Sequence, residues 1–439
     1  MRPRTTLRGL RSAQSQLQYS VQKHKPLNGS IPTCGKVTMA SNWVLREVGV
    51  TPNGPSAMGG VFDVSSIPIA SMSNGGAPER EVDIKKLKPE DLLPHTAVLS
   101  KLYEEKRVSI PPDTQLEIVG KVMNFVQLRQ KQGSDQLAKS IIPLTGGDLR
   151  NLTALGTMLA RHSPEGAPFA RLILEIAAGK GEMDAEFQLA QLLVEDLPGS
   201  PKNPSKALQL LASLAGRNHP ASQYNLGRRY VSTGSDIKGG LILLNKAAEN
   251  GMAQACAQLG HIYSKGIGRA VPKDIPKARK YLEQAHEKGL IEATFLIGAL
   301  YASGEIPSGD QSPNAKAHEF YTIAANKGLS IAQHNLGSLY FEGDENNGIK
   351  RDVRRAIEYW KMAAEQGMQL SQLNMGKLYM DGLDGSSLNR IRKDYVLAER
   401  YLQDCVKTGG EVGENAQTLL AELSDKKRAK GDGRGCQIM

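Results

Sequence analysis

The sequence predicts an all-α chain: a right-handed αα superhelix, or solenoid, of about seven helical pairs behind a disordered N-terminal tail. Three observations carry that prediction. A helix-turn-helix pattern returns at Gly156, Ala190, Gly227, Gly260, Gly298, Gly337 and Gly376, at intervals of 34, 37, 33, 38, 39 and 39 residues. Each recurrence brings small residues at the same offsets. Aromatic residues make up only 5% of the chain, a composition that suits close-packed helices better than a β core.

The stretch 328–367 is the most regular unit. Ala332, Leu336, Gly337 and Tyr340 share one helical face and predict a first helix. After the loop 343–350, Asp352 is a natural N-cap for a second helix carrying Ala356, Tyr359, Ala363 and Ala364, and Gly367 ends it. The same ending recurs at Gly181, Asn218, Gly251, Gly289, Gly328 and Gly409, and capping side chains recur at Asn203, Asp236, Asp274 and Asp394. Small residues at Ala170, Ala207, Gly240, Ala278, Ala317, Ala356 and Ala398 stand seven positions before the end of each second helix, on its inward face. They let the two antiparallel helices of a pair approach closely, while Leu and Tyr fill the gap to the next pair. One unit cannot bury its apolar face alone, so stacking supplies the stability.

Taken in order, residues 1–46 hold eight Lys or Arg and no acid. Their Arg, Ser and Gln, with Leu7, Leu10, Leu17 and Val21 on one helical face, look like a mitochondrial presequence; the bland reading is a basic tail. Residues 47–84, rich in Gly, Pro, Ser and Asn, read as a disordered linker. Residues 85–147 read as an N-terminal helical cap, with helical spacing over 90–106 and 113–131 and Asp113 as an N-cap. The repeat array covers 148–423 and closes with a terminal helix over 414–423, and residues 424–439 form a basic tail.

Leu-Gly-x-x-Tyr recurs at Gly227/Tyr230, Gly260/Tyr263, Gly298/Tyr301, Gly337/Tyr340 and Gly376/Tyr379, and continues to a glycine at Gly266, Gly304, Gly343 and Gly382. With the Ala-Ala-x-x-Gly endings and variable loops, this pattern resembles the Sel-one-like repeat, a relative of the tetratricopeptide repeat, over about residues 150–423. Leu159 and Leu193 stand where Tyr is expected, so the first two units are degenerate. The resemblance implies a scaffold that binds protein partners on its concave surface. It implies no catalytic residue, cofactor or small-molecule substrate.

Charge placement separates the function classes. Of the net charge of +10, residues 1–46 carry +8 and residues 425–435 carry +3, which leaves the rest of the chain at −1. A nearly neutral body has no general pull on phosphate, and repeats that each read one base keep a strict length, so nucleic acid is not the expected partner. Cys34, Cys256, Cys405 and Cys436 show neither paired nor metal-type spacing, which fits a reducing compartment. His162, His219, His261, His286, His318 and His334 fall inside repeats without triad or metal spacing, so the chain reads as a non-enzyme.

Cys436-Gln437-Ile438-Met439 fits a prenylation box, with Met favouring farnesyl. The upstream Lys426, Lys427, Arg428, Lys430 and Arg434 would add attraction to an anionic leaflet. Sel-one-like repeats followed by such a box resemble the architecture of fungal chitin-synthase activators. The box and the presequence are competing addresses, because a chain imported into mitochondria would not normally meet cytosolic prenyltransferase. The expectation carried forward is an adaptor on the cytoplasmic face of a membrane, lipidated at Cys436, that positions a partner enzyme such as a cell-wall synthase. The alternative is a mitochondrial assembly or scaffold factor.

Overall fold

The computed structural model describes residues 86–432 apart from 107, 128–133, 346–347 and 386–388. Four helices precede the array: α1 (Pro89–Leu92), α2 (Thr96–Glu104), α3 (Pro112–Gln127) and α4 (Ser134–Ile141). Seven pairs follow. They are α5 (Leu149–His162) with α6 (Ala167–Gly179), α7 (Met183–Leu192) with α8 (Pro204–Gly216), α9 (Pro220–Thr233) with α10 (Ile237–Glu249), and α11 (Ala253–Lys265) with α12 (Ile275–Glu287). Then come α13 (Ile291–Ala302) with α14 (Pro313–Asn326), α15 (Ser330–Glu342) with α16 (Val353–Glu365), and α17 (Gln369–Asp381) with α18 (Tyr395–Lys407), and α19 (Gly410–Asp432) closes the series. Among the described residues the extended structure amounts to isolated bridges inside loops. The chain is all-α, built of repeated helical pairs as its periodicity predicts.

The described residues form two compact units, taken here separately. One holds α1 to α14, α15 through Leu339, and the loop Asp344–Lys350; the other holds Tyr340–Gly343 and everything from Arg351 onward.

In the first unit, a single core runs from Leu92 in α1 through Ile118, Leu155, Phe169 and Leu189 to Ala207 in α8. The helices ahead of the array therefore share the core of its first two pairs. The sequence places one helix over 90–106, but the chain breaks it at Leu93, extended at φ −111° and ψ 155°, because Pro94 disfavours helical geometry in the residue before it. Asp113 does not cap α3. Pro112 already occupies the first helical position, where its missing N–H costs nothing, and Asp113 lies in the first turn with its charge facing the helix dipole. The terminal helix also exceeds its pattern, running to Asp432 rather than stopping near Leu423.

Four devices recur along the pairs. Small first-helix residues permit close approach: a Cβ at Gly260 would lie 2.6 Å from Leu282 Cγ, and one at Gly376 2.6 Å from Leu402 Cγ. The second helix starts on a capping side chain, as Asn203, Asp236, Asp274, Asp352 and Asp394 each accept a backbone N–H from the turn that follows. Its end is a left-handed residue at every predicted position, from Gly181 at φ 93° to Gly409 at φ 72°, with Asn218 at 66° replacing Gly once. Finally, in three pairs the capping residue clasps the loop shut: its N–H donates to the carbonyl of the tyrosine three residues after the first-helix glycine, Asp274 to Tyr263, Asp352 to Tyr340 and Asp394 to Tyr379, each at 2.8 Å.

Candidate interaction surface

The first helix of a pair is enclosed, and the second presents itself to solvent. In α13 every residue from Ala293 to Tyr301 is buried, whereas α12 buries only Ala278, Leu282 and Ala285. Surface chemistry in the first unit is therefore concentrated on second helices and loops.

One such surface is a cleft of about 460 Å³ between α10 and α12, floored by Ala248 and Cys256. Tyr263 and Tyr281 stack beside it, centroids 5.9 Å apart and 7° from parallel. Tyr281 Oη donates to Asn245 Oδ1 at 2.5 Å, tying two successive pairs together. Lys277 Nζ donates to Tyr263 Oη at 2.8 Å and lies 4.0 Å from that ring's centroid, a hydrogen bond that raises the ammonium's pKa above its ordinary value. Lys280, Gln284 and Glu287 complete the rim. Amide, phenol and ammonium groups converging on a half-open cleft suit a polar peptide segment.

A Ser, His and Asp do come together, at a place the sequence spacing does not suggest. His219 Nε2 lies 3.0 Å from Asp184 Oδ1, and its Nδ1 lies 2.9 Å from Ser222 Oγ. The Ser222 hydroxyl has no route to a substrate, since the residue is 0% exposed. Its ring nitrogen instead caps α9, accepting from the Ser222 N–H at 3.3 Å. His286 Nδ1 meets Thr294 Oγ1 at 2.7 Å. Burial pushes His334 down to about 4, and burial with the neighbouring Lys265 does the same to His261. Among the described residues no group of three or more His, Cys, Asp or Glu could hold a metal ion.

Cys256 and Cys405 are core thiols as their positions predict, 1% and 0% exposed. Burial raises both, Cys405 to about 11, which keeps the nucleophilic thiolate scarce. Cys436, the predicted lipid acceptor, lies outside the described residues, as does Cys34. Basics of the predicted tail do lie within them, and three are paired: Lys426 Nζ with Asp381 Oδ1 at 2.6 Å, Lys427 Nζ with Glu399 Oε2 at 2.8 Å, and Arg428 Nη1 with Asp425 Oδ1 at 3.9 Å. Among the described residues no helix is long and apolar enough to cross a membrane.

Sequence reasoning passes over one recurrent contact. Four residues before the first-helix glycine stand Gln223, Gln333 and Gln372, each buried, each donating Nε2 to the carbonyl that ends the preceding second helix: Ala215 at 3.3 Å, Ala325 at 3.3 Å and Ala364 at 3.1 Å. Each of these carbonyls also accepts the N–H of the left-handed residue that follows, Asn218, Gly328 or Gly367, so the glutamine supplies a further donor and ties the next first helix to that turn. The signal was present as Gln at one fixed offset in three units.

The Sel1 repeat profile matches residues 184–219, 220–252, 253–290, 291–329, 330–368 and 369–403, half of the chain. The chain belongs to the Sel1 repeat family. The matched segments correspond to the pairs from α7/α8 to α17/α18, so the pair α5/α6 lies ahead of the match, although Gly156 meets Leu174 there just as Gly376 meets Leu402. Among curated proteins this Sel1 repeat chain is 29% identical over 163 residues to the chitin synthase regulator SKT5 of Saccharomyces cerevisiae, covering 35% of this chain and 23% of that protein. The likeness thus spans under a quarter of the regulator's length. Among solved structures, a protective antigen of uropathogenic Escherichia coli displaying an SLR fold matches with TM-score 0.51 and 20% identity over 78% of this chain and 73% of that one. A Sel1 repeat protein from Oxalobacter formigenes matches at TM-score 0.49 and 24% identity over 58% of this chain and 96% of that one.

Proposed function

We propose that this Sel1 repeat chain is a non-catalytic adaptor that holds a protein partner on the concave face of its helical pairs and positions or regulates a partner enzyme, such as a cell-wall synthase. The similarity to a chitin synthase regulator over 163 residues carries this reading. Farnesylation of Cys436 would attach the adaptor to the cytoplasmic face of a membrane. One prenyl chain binds a bilayer only marginally, so a second, electrostatic contact belongs to the same reading. The decisive experiment is a mass measurement of both termini of the chain purified from its own cells, together with fractionation of the Cys436→Ser variant. A lipid on Cys436 and loss of the variant from membranes are expected; an unmodified thiol, or a variant that stays on the membrane, refutes the anchor.

The acid-free run 1–46 favours a second reading, a mitochondrial scaffold factor. It requires cleavage within that run, visible in the same mass spectrum, and relocation when residues 1–46 are deleted.

A further inference from the structure

In the second unit Arg354, Arg390, Arg392 and Lys393 face solvent with no counter-charge among the described residues, as do Arg351 and Arg400. Arg354 lies in the first turn of α16, and Arg390, Arg392 and Lys393 line the loop leading into α18. None has a carboxylate within 4.0 Å among the described residues. The loop is seated on the start of α16, where the Val353 N–H donates to Asn389 Oδ1 at 3.1 Å, and it is closed by the paired backbone bonds of Leu383 and Ile391 at 2.8 and 2.9 Å. Residues from successive pairs therefore share one edge. The nearby acids are mostly engaged: Asp352 caps α16 and meets Arg355 at 3.4 Å, Asp394 caps α18, and Asp384 remains exposed.

The same edge is where α19 ends. α18 runs away from it and α19 runs back, as the contacts of Lys426 with Asp381, the last residue of α17, and of Lys427 with Glu399 near the start of α18 require. From Lys427 the helix continues to Asp432, about 7 Å further. Lys426 and Lys427 are partly neutralised by these partners, whereas the loop cations are not. Arg354 also sits at the positive end of a helix dipole, an unfavourable place for a cation unless an anionic surface covers it.

We propose that this loop edge, Arg354 with Arg390, Arg392 and Lys393, is a docking face for an anionic bilayer, lying on the headgroups at the edge where α19 ends. The proposal deepens the adaptor reading above and rests on it for the membrane's relevance, though not for the charge itself. Each exposed Lys or Arg near such a surface strengthens partitioning about fivefold, within a Debye length of about 8 Å at physiological salt.

The test uses the full chain carrying Cys436→Ser, so that binding is read without lipid, and vesicles of phosphatidylcholine with or without phosphatidylserine. Binding is expected only with phosphatidylserine and should weaken as salt rises. Arg390→Glu with Arg392→Glu should lower partitioning by more than about tenfold. Lys202→Glu with Lys238→Glu, an equal charge change at exposed sites of the first unit, should lower it far less, with thermal melting verifying that each variant is folded. Equal losses in the two double variants overturn the proposal. So does binding to neutral vesicles as strong as to anionic ones, or no binding to either, which would leave an acidic protein segment as the occupant. The mass measurement on Cys436 is independent, so failure of the lipid reading and failure of this face are distinguishable.

Discussion

Tyr340 and Tyr359 lie face to face, ring centroids 5.9 Å apart and 6° from parallel, where the first helix of a pair meets the second. Tyr263 with Tyr281 and Tyr379 with Tyr401 repeat the arrangement at 5.9 and 6.2 Å. The Arg355 guanidinium, 5.5 Å from the Tyr340 centroid, covers the stack. A double-mutant cycle on Tyr340→Ala and Tyr359→Ala, followed by urea unfolding, should return a coupling of about 1 kcal/mol. The adjacent Trp360→Ala should cost more, about 3–5 kcal/mol, because Trp360 is 1% exposed and fills the core. A coupling indistinguishable from zero would mean that the stack is geometry without energy.

Glycines of this chain divide into those that tolerate a methyl group and those that do not. Gly376→Ala drives a Cβ to within 2.6 Å of Leu402 Cγ and 2.7 Å of its Cδ2, and overpacking of that kind costs about 1–3 kcal/mol. At Gly216, the last residue of α8, a Cβ meets nothing within 4 Å, so Gly216→Ala should gain up to about 1 kcal/mol from helix propensity. Opposite signs in thermal melts are the expected result, and equal signs would contradict the close approach of α17 and α18.

Gln223 and Gln372 occupy the same repeat position with unequal satisfaction. Gln223 donates to Ala215 O and Asn218 Oδ1 and accepts from Asn250 Nδ2 at 3.1 Å. Gln372 donates to Ala364 O but leaves Oε1 buried without a partner. Gln223→Met should therefore cost about 1–3 kcal/mol, and Gln372→Met less than about 1 kcal/mol, since the latter also removes an unpaired polar atom. Chemical denaturation of the two variants decides it; a larger loss at Gln372 would overturn the assignment.

Acid should loosen the array near His261 and His334. Both are held at about 4 in the folded chain against an ordinary value near 6.5, so the unfolded state binds more protons between those values. Their contribution is complete above about pH 6.5 and is lost as pH falls toward 4. Melting temperature should fall across that window, and His334→Gln should flatten part of the slope. A profile that the substitution leaves unchanged would remove His334 from the cause.

The helical pairs were legible because each is enforced locally. A left-handed ending, a capping Asp and a small residue at a fixed offset act within a dozen residues, and their periodicity survives changes elsewhere. Ser312 escaped because it caps α14 one turn position away from the pattern, five residues rather than four before Ala317. The end of α19 escaped because Lys426 and Lys427 look like a solvated tail until Asp381 and Glu399 are placed beside them. Surface chemistry was less legible still. Asn245 and Tyr281 stand 36 residues apart in sequence and 2.5 Å apart in space, and nothing in either helix alone announces that meeting.

The clasp between the capping Asp and the tyrosine three residues after the first-helix glycine has a consequence for how such an array changes over time. It joins positions 11 residues apart at Tyr263 and Asp274, 12 apart at Tyr340 and Asp352, and 15 apart at Tyr379 and Asp394, always through the same two backbone atoms at 2.8 Å. The neck of the loop is thus constant while its contents are free. Doubling the enclosed length costs only about 0.6 kcal/mol in closure entropy. Insertions and deletions can therefore accumulate inside these necks without disturbing either helix, so new loop sequences can be tried while the helical pairs keep their places.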